Sequence, residues 1–140
     1  MGGLFHRLRR LLQPAGPGER GERCAADWLR RERGFRIVAR NWRSPRDRRH
    51  ELDLVAHDGE VLVFVEVKAR AAGAQVAGHH AVDRRKRNAL RRAIVAYLAG
   101  LRAKPRAVRV DIVEVALPAG GEPEVRHFAN LPLFPSDWRP

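Results

Sequence analysis

The chain has no threonine, only two serines, and a single cysteine, methionine and tyrosine among its 140 residues. With no threonine, and with Ser44 and Ser136 outside any convincing nucleophile setting, covalent hydroxyl catalysis is poorly supplied. The lone Cys24 excludes an internal disulfide and a zinc site of paired cysteines, and it suits a reducing cytoplasm. No apolar run approaches the roughly 18 residues needed to cross a bilayer, and no phosphate loop of the G-K-[ST] type is present. Gly16-Pro-Gly18-Glu-Arg-Gly21 matches G-x-G-x-x-G in form, but it follows a proline break and no strand, so the dinucleotide reading lacks its context. Lysine is scarce too. Of 28 basic residues, only Lys68, Lys86 and Lys104 are lysines.

Positive charge is what the chain has in excess. The net charge is +12 and the pI about 11.5, and residues 1–50 alone carry 14 arginines against five acids. Such an imbalance points to a polyanionic partner, nucleic acid first and an anionic membrane surface second. Met1 to Leu12 is basic and weakly amphipathic, but too short and broken in its apolar content for a secretory signal, and it reads as a frayed tail.

The length suits one domain with tails. A Pro/Gly break at Gln13–Gly18 sets residues 1–18 apart as a basic tail, with a domain over 19–134 and a proline-rich tail over 135–140. Glu19 to Arg33 reads as a helix stopped by Gly34, with Glu22, Ala25, Ala26 and Leu29 on its inward face. Glu22 at the head of that face is either a third acidic ligand or the partner of an inward arginine. Phe35 to Trp42 suits a strand, and the loop after it is strongly basic, with Arg43, Arg46, Arg48 and Arg49. Ala69 to His80 reads as a mobile loop. Val82 to Leu101 reads as a long helix whose apolar stripe includes Lys86, while Arg84, Arg85, Arg87, Arg91 and Arg92 face mostly outward. Strands over Ala107–Leu117 and Glu124–Phe128 follow. His79-His80 is an unconvincing metal site, because adjacent side chains diverge on any regular element.

The most informative stretch is Glu51 to Lys68. Two apolar runs flank His57-Asp58-Gly59-Glu60, and Asp-Gly is a strong two-residue turn signal. With Asp58-Gly59 as the central turn residues, Glu51 faces Glu66, Asp53 faces Phe64, and Leu52 and Leu54 face Val65 and Val63. Alternation then puts Glu51, Asp53, Glu66 and Lys68 on one face, with Leu52, Leu54, Val61, Val63, Val65 and Val67 on the core face. Like charges opposed on a sheet destabilise it, so this strand pair needs a compensating cation. A metal-binding carboxylate cluster is favoured over a solvated face, since Val55, Leu62 and Phe64 share that side. Lys68 supports the choice, because a chain that uses arginine almost everywhere places here a compact ammonium whose pKa shifts readily.

Asp53 followed by Glu66-Val67-Lys68 on the next strand resembles the PD-(D/E)xK nuclease motif. The element order is similar to the restriction-endonuclease-like core of archaeal Holliday junction resolvases. More closely, the chain resembles the bacterial YraN family of uncharacterised, endonuclease-like proteins. The match rests on Gly21-Glu22, Arg40-Asn41, Glu51-Leu-Asp53-Leu, Phe64-Val-Glu66-Val-Lys68, Lys86, Arg109-Val-Asp111 and Asn130, with His50 where the family usually has glycine. The resemblance implies an α/β fold in which a central mixed β-sheet is flanked by helices in the order α-β-β-β-α-β. It implies a Mg²⁺- or Mn²⁺-dependent endonuclease acting on DNA ahead of RNA, with branched or repair intermediates as candidate substrates and a homodimer as a candidate assembly. Asp53, Glu66 and the Val67 carbonyl would hold the metal, with Glu22 and Glu51 as further candidates. Lys68 would serve the attacking water. Lys86 and the arginines at 43, 46, 48, 49, 84, 85 and 87 would bind the nucleic acid. The competing reading is a non-catalytic nucleic-acid-binding protein that keeps the fold.

Overall fold

The structure, a computed structural model, describes residues 16–71 and 82–140. The amphipathic start, His79-His80 and most of the glycine-containing loop before them lie outside the described residues.

Helix α1 spans Pro17–Arg33, followed by strands β1 (Arg36–Arg43), β2 (Glu51–Asp58) and β3 (Val61–Ala71). Helix α2 (Arg84–Ala99) then leads to β4 (Ala107–Leu117) and β5 (Glu124–Phe128). The five strands form one sheet in the order β1-β2-β3-β4-β5. β3 and β4 pair in parallel and every other neighbouring pair is antiparallel, so the sheet is mixed. A parallel pair needs a crossover, and α2 supplies it.

Local chemistry sets the helix limits. Pro17 at the first turn has no amide to satisfy, and Gly34 ends α1 in the left-handed region at φ 70°. Asp83 caps α2 by accepting the Lys86 amide at 2.8 Å. Ala25, Ala26 and Leu29 of α1 pack with Leu54, Ala56, Val63, Val65, Val113 and Val115 on one face of the sheet. Leu90, Ala93, Ile94 and Leu98 of α2 pack with Val55, Leu62, Phe64 and Val110 on the other. Each large apolar side chain buried this way contributes about 1.5–3 kcal/mol.

Two features of the hairpin differ from the sequence reading. The ladder runs from Leu54–Val65 to Asp58–Val61, two residues displaced from the register expected for an Asp58-Gly59 turn. The loop is Gly59-Glu60, with a positive φ of 59° at Gly59, the glycine-first form of a two-residue hairpin. Asp58 stays in the strand, laddered with Val61, and its carboxylate binds the Arg109 guanidinium on β4 at 2.9 Å. A two-residue shift preserves the faces, so the acids remain together while their partners change. Leu52 is the second correction. It joins the α2-side core, not the α1-side core of Leu54. The β2–β3 ladder stops at Leu54, which frees the strand to turn there.

Candidate active site

The two helices both begin at the end of the sheet where β3 and β4 finish, the usual place for a site in an α/β sheet. α1 comes close because Gly21 has no side chain; a Cβ there would collide with Ala69 of β3. That contact sets the neighbouring Glu22 beside β2. One step beyond the last laddered pair, Asp53 and Glu66 come abreast, in place of the expected Glu51 and Glu66. Glu51 pairs instead with Arg43 of β1 at 2.8 Å.

Asp53 Oδ2 accepts the Val67 backbone N–H at 2.8 Å. Glu66 is 7% exposed, and its Oε1 lies 3.1 Å from the Lys86 ammonium. Burial first, and then the Asp53 charge, push the Glu66 pKa up to about 7, against the pull of Lys86 and Lys68. Asp53 is also raised by burial, opposed by the Val67 amide and by Lys86. Two carboxylates that share one desolvated place, joined by a side-chain hydrogen bond, hold a proton between them more readily than two charges. Lys86 remains charged over a wider pH range than usual: burial works against it, but Glu66, Asp53 and Glu51 outweigh burial.

Glu22 completes the acidic side. Burial and the Asp53 charge raise its pKa, while a hydrogen bond to the Asn41 side chain and the Arg40 charge lower it. Its Oε2 is buried without a hydrogen-bond partner. Asn41 sits in β1 at a φ of 49°, a left-handed conformation that Asn tolerates better than most residues. The sequence reading placed Arg40-Asn41 in the family pattern without a role; the structure makes Asn41 the partner of Glu22. Lys68 is half-buried, two residues beyond Glu66 on the same side of β3, close enough for its charge to act on Glu66.

Among the described residues, no group of three or more His, Cys, Asp or Glu side chains stands ready to hold a metal ion. The Lys86 ammonium provides the cation that the opposed carboxylates require. The donors themselves suit a hard divalent cation, which prefers oxygen ligands. Asp53 and Glu66 supply carboxylate oxygens, and the unpartnered Glu22 Oε2 is a further oxygen without another bond.

The basic residues fall into two groups. Arg84 and Arg85 are exposed at the start of α2. Arg87 is committed to carbonyls, Nε to Val82 at 3.3 Å and NH1 to Pro132 at 3.0 Å. In the 44–50 loop, Arg49 pairs with Asp47 at 2.8 Å, and Arg43 reaches both Glu51 and the Arg48 carbonyl. His50, in the family's glycine position, has no positive φ; its amide donates to the Asp47 carbonyl, and its own carbonyl accepts from Ser44 N–H.

Away from the acids, Asp111 is fully buried and accepts from the Arg109 guanidinium at 2.9 and 3.0 Å and from the Asn130 amide at 3.1 Å. His127 Nε2 lies 2.8 Å from it. His127 and Arg109 hold this carboxyl below the usual range in spite of its burial. Asn130, at a φ of 62°, turns the chain so that Leu131 N–H reaches the Val110 carbonyl.

A mixed five-stranded sheet between two helices, with paired acids and a lysine at the carboxyl end of a central hairpin, defines a restriction-endonuclease-like α/β core. The chain belongs to the uncharacterised protein family UPF0102, which residues 21–115 match. A UPF0102 protein of Anaeromyxobacter dehalogenans is 45% identical over 123 residues, covering 88% of this chain and 87% of that protein. One of Beutenbergia cavernae is 47% identical over 114 residues, covering 81% and 93%. No helix among the described residues is long and apolar enough to cross a membrane.

Proposed function

We propose that the protein is a Mg²⁺- or Mn²⁺-dependent endonuclease that hydrolyses phosphodiester bonds in DNA. The observation that carries this reading is the Asp53–Glu66 pair, two desolvated carboxylates abreast with Lys68 on the same side. A structural ion pair needs one acid per cation. Here two acids crowd one desolvated place, which is the cost expected where a divalent ion is to bind.

Asp53 and Glu66 would hold the metal, with the Val67 carbonyl as a further oxygen by family resemblance. Such an ion lowers the pKa of bound water and stabilises charge on phosphoryl oxygens. Val67 N–H fixes the Asp53 carboxylate, which limits the reorganisation needed on binding. Lys68 orients the attacking water and takes or stabilises charge as the water loses its proton. Lys86, 3.1 Å from Glu66, would supply a positive charge for the substrate phosphate beside the metal. Exposed arginines supply sequence-independent affinity.

One observation favours the alternative, a binding protein without catalysis: Lys86 already neutralises Glu66. A cleavage panel of branched, flapped, single-stranded and duplex DNA with Mg²⁺ or Mn²⁺ separates the two. Cleavage of at least one substrate, abolished by Asp53→Ala, supports the nuclease. Salt-sensitive binding with no cleavage of any substrate supports the alternative.

A further inference from the structure

A cavity of about 680 Å³ opens where the 44–50 loop meets the C-terminal part of α2. That size lies within the range of small-ligand sites. Trp42 and Tyr97 supply its aromatic walls, and Ala96, Ala99 and Gly100 leave the helix side open. The walls are held in place. Trp42 meets Tyr97 edge to face with centroids 5.2 Å apart, and Tyr97 meets Phe64 the same way at 5.5 Å.

The loop is equally well fixed. Ser44 is buried, its Oγ accepts the amides of Arg46 and Asp47 at 3.3 and 3.4 Å, and its N–H donates to the His50 carbonyl at 3.0 Å. Asp47 accepts both the amide and the guanidinium of Arg49, which holds its carboxyl well below the usual range. Arg43 and Arg49 are therefore occupied by acids. Arg46 and Arg48 are exposed, and among the described residues neither guanidinium has an ion pair.

Fixed aromatic walls, with the Arg46 guanidinium at the rim and Arg48 exposed on the same loop, match an unstacked nucleobase whose phosphates remain outside. An apolar metabolite has no use for the rim charge, and a paired base must first leave its stack to enter. Position favours the same ligand. Trp42 pairs across β1–β2 with Leu52, the residue before Asp53, so one wall of the cavity comes from the strand next to the one that carries Asp53. We propose that this cavity takes one unstacked base of a single-stranded segment, with the flanking phosphates on Arg46 and Arg48. The proposal rests on the nuclease reading for its meaning and deepens it: the substrate carries unpaired nucleotides.

The test is equilibrium binding without divalent ions, so that it reads no cleavage and stands apart from hydrolysis. The probes are a short thymidine oligomer, an abasic backbone of the same length, a fully paired duplex and thymidine monophosphate. The oligomer should bind about tenfold or more tighter than the abasic strand, the scale of base–aromatic stacking. Trp42→Leu should erase that preference and leave abasic binding and its salt slope unchanged. Ala99→Trp, which fills the cavity from an exposed helical position, should do the same without removing a core aromatic. Equal binding of the oligomer and the abasic strand overturns the proposal. So does a preference that survives in a folded Ala99→Trp variant, a duplex that binds as tightly as the oligomer, or a monophosphate that competes as well as the oligomer.

Discussion

The Lys86 ammonium lies 3.1 Å from Glu66 Oε1 and joins the first turn of α2 to the middle of β3. Without a metal it is the cation that lets Asp53 and Glu66 stay abreast. Lys86→Met keeps most of the apolar stem and removes the charge. It should lower stability by about 1–2 kcal/mol, less than for a fully buried pair because the lysine is partly exposed. Mn²⁺ should then raise the melting temperature of the variant more than that of the parent protein. A smaller rise in the variant would show that Lys86 does not compete with metal.

Glu66 gives the protein a defined pH response. Its pKa rises from 4.5 to about 7 on folding, so the unfolded chain loses this proton first as pH increases. Between those values the unfolded state is favoured progressively, and stability falls with rising pH until it levels above about 7. Glu66→Gln should shrink that decline to the part that the buried Asp53 contributes, as measured by denaturant midpoints across the window. Metal binding has the opposite dependence, because ligation needs the ionised carboxylate. Mn²⁺ affinity should increase up to about pH 7, with a proton released to buffer in calorimetry.

Gly21→Ala offers a test of the helix placement. In an ordinary helix interior the change stabilises by about 1 kcal/mol. Here the new methyl meets Ala69, so destabilisation of about 1–3 kcal/mol is expected. Pairing it with Ala69→Gly should recover much of the loss. A stable single variant would place α1 further from β3.

Asp111→Asn should cost about 3 kcal/mol or more, because the amide keeps one acceptor oxygen but turns the other into a buried NH2 facing the Arg109 guanidinium and His127. The parent Asp111 has a depressed pKa, so its contribution is present above the unfolded value and lost as acid titrates it. The acid limb of the stability profile should therefore flatten in Asp111→Asn. Thermal unfolding followed from neutral to acid pH would show it.

The strands and helices were legible because their patterns are strong: alternation in β2 and β3, and apolar spacing in α1 around Ala25, Ala26 and Leu29. Alternation puts Glu66 and Lys68 on one side of β3, whereas Asp53 lies where the strand turns beyond the last laddered pair. The register does not follow from alternation, and the Asp58–Arg109 ion pair that accompanies it joins residues 51 positions apart. The turn of Leu52 toward α2 follows from where the ladder ends, which no local pattern encodes. The Asn41–Glu22 bond is hidden for the same reason. Charge counting also does not show that the Arg87 guanidinium donates to the Pro132 carbonyl in the segment that closes over α2.

The outward basic surface is tested by charge reversal at Arg84 and Arg85, which leaves the structural Arg87 in place. DNA affinity should fall, and the slope of log affinity against log salt should shrink by roughly one to two, about one per lost phosphate contact. Salt-independent binding in the parent protein would contradict the polyanion reading of its +12 charge.

The central claim is tested most directly by single-turnover cleavage of flapped DNA in Mn²⁺ by the parent protein, Asp53→Ala and Lys68→Arg. Arginine keeps the charge but replaces a compact ammonium with a broad guanidinium that titrates far above working pH. The account predicts cleavage by the parent, none by Asp53→Ala, and a loss of about two decades or more in Lys68→Arg, with DNA and Mn²⁺ binding nearly intact. A fully active Lys68→Arg variant would remove the lysine from the chemistry, and cleavage that survives Asp53→Ala would contradict the site itself.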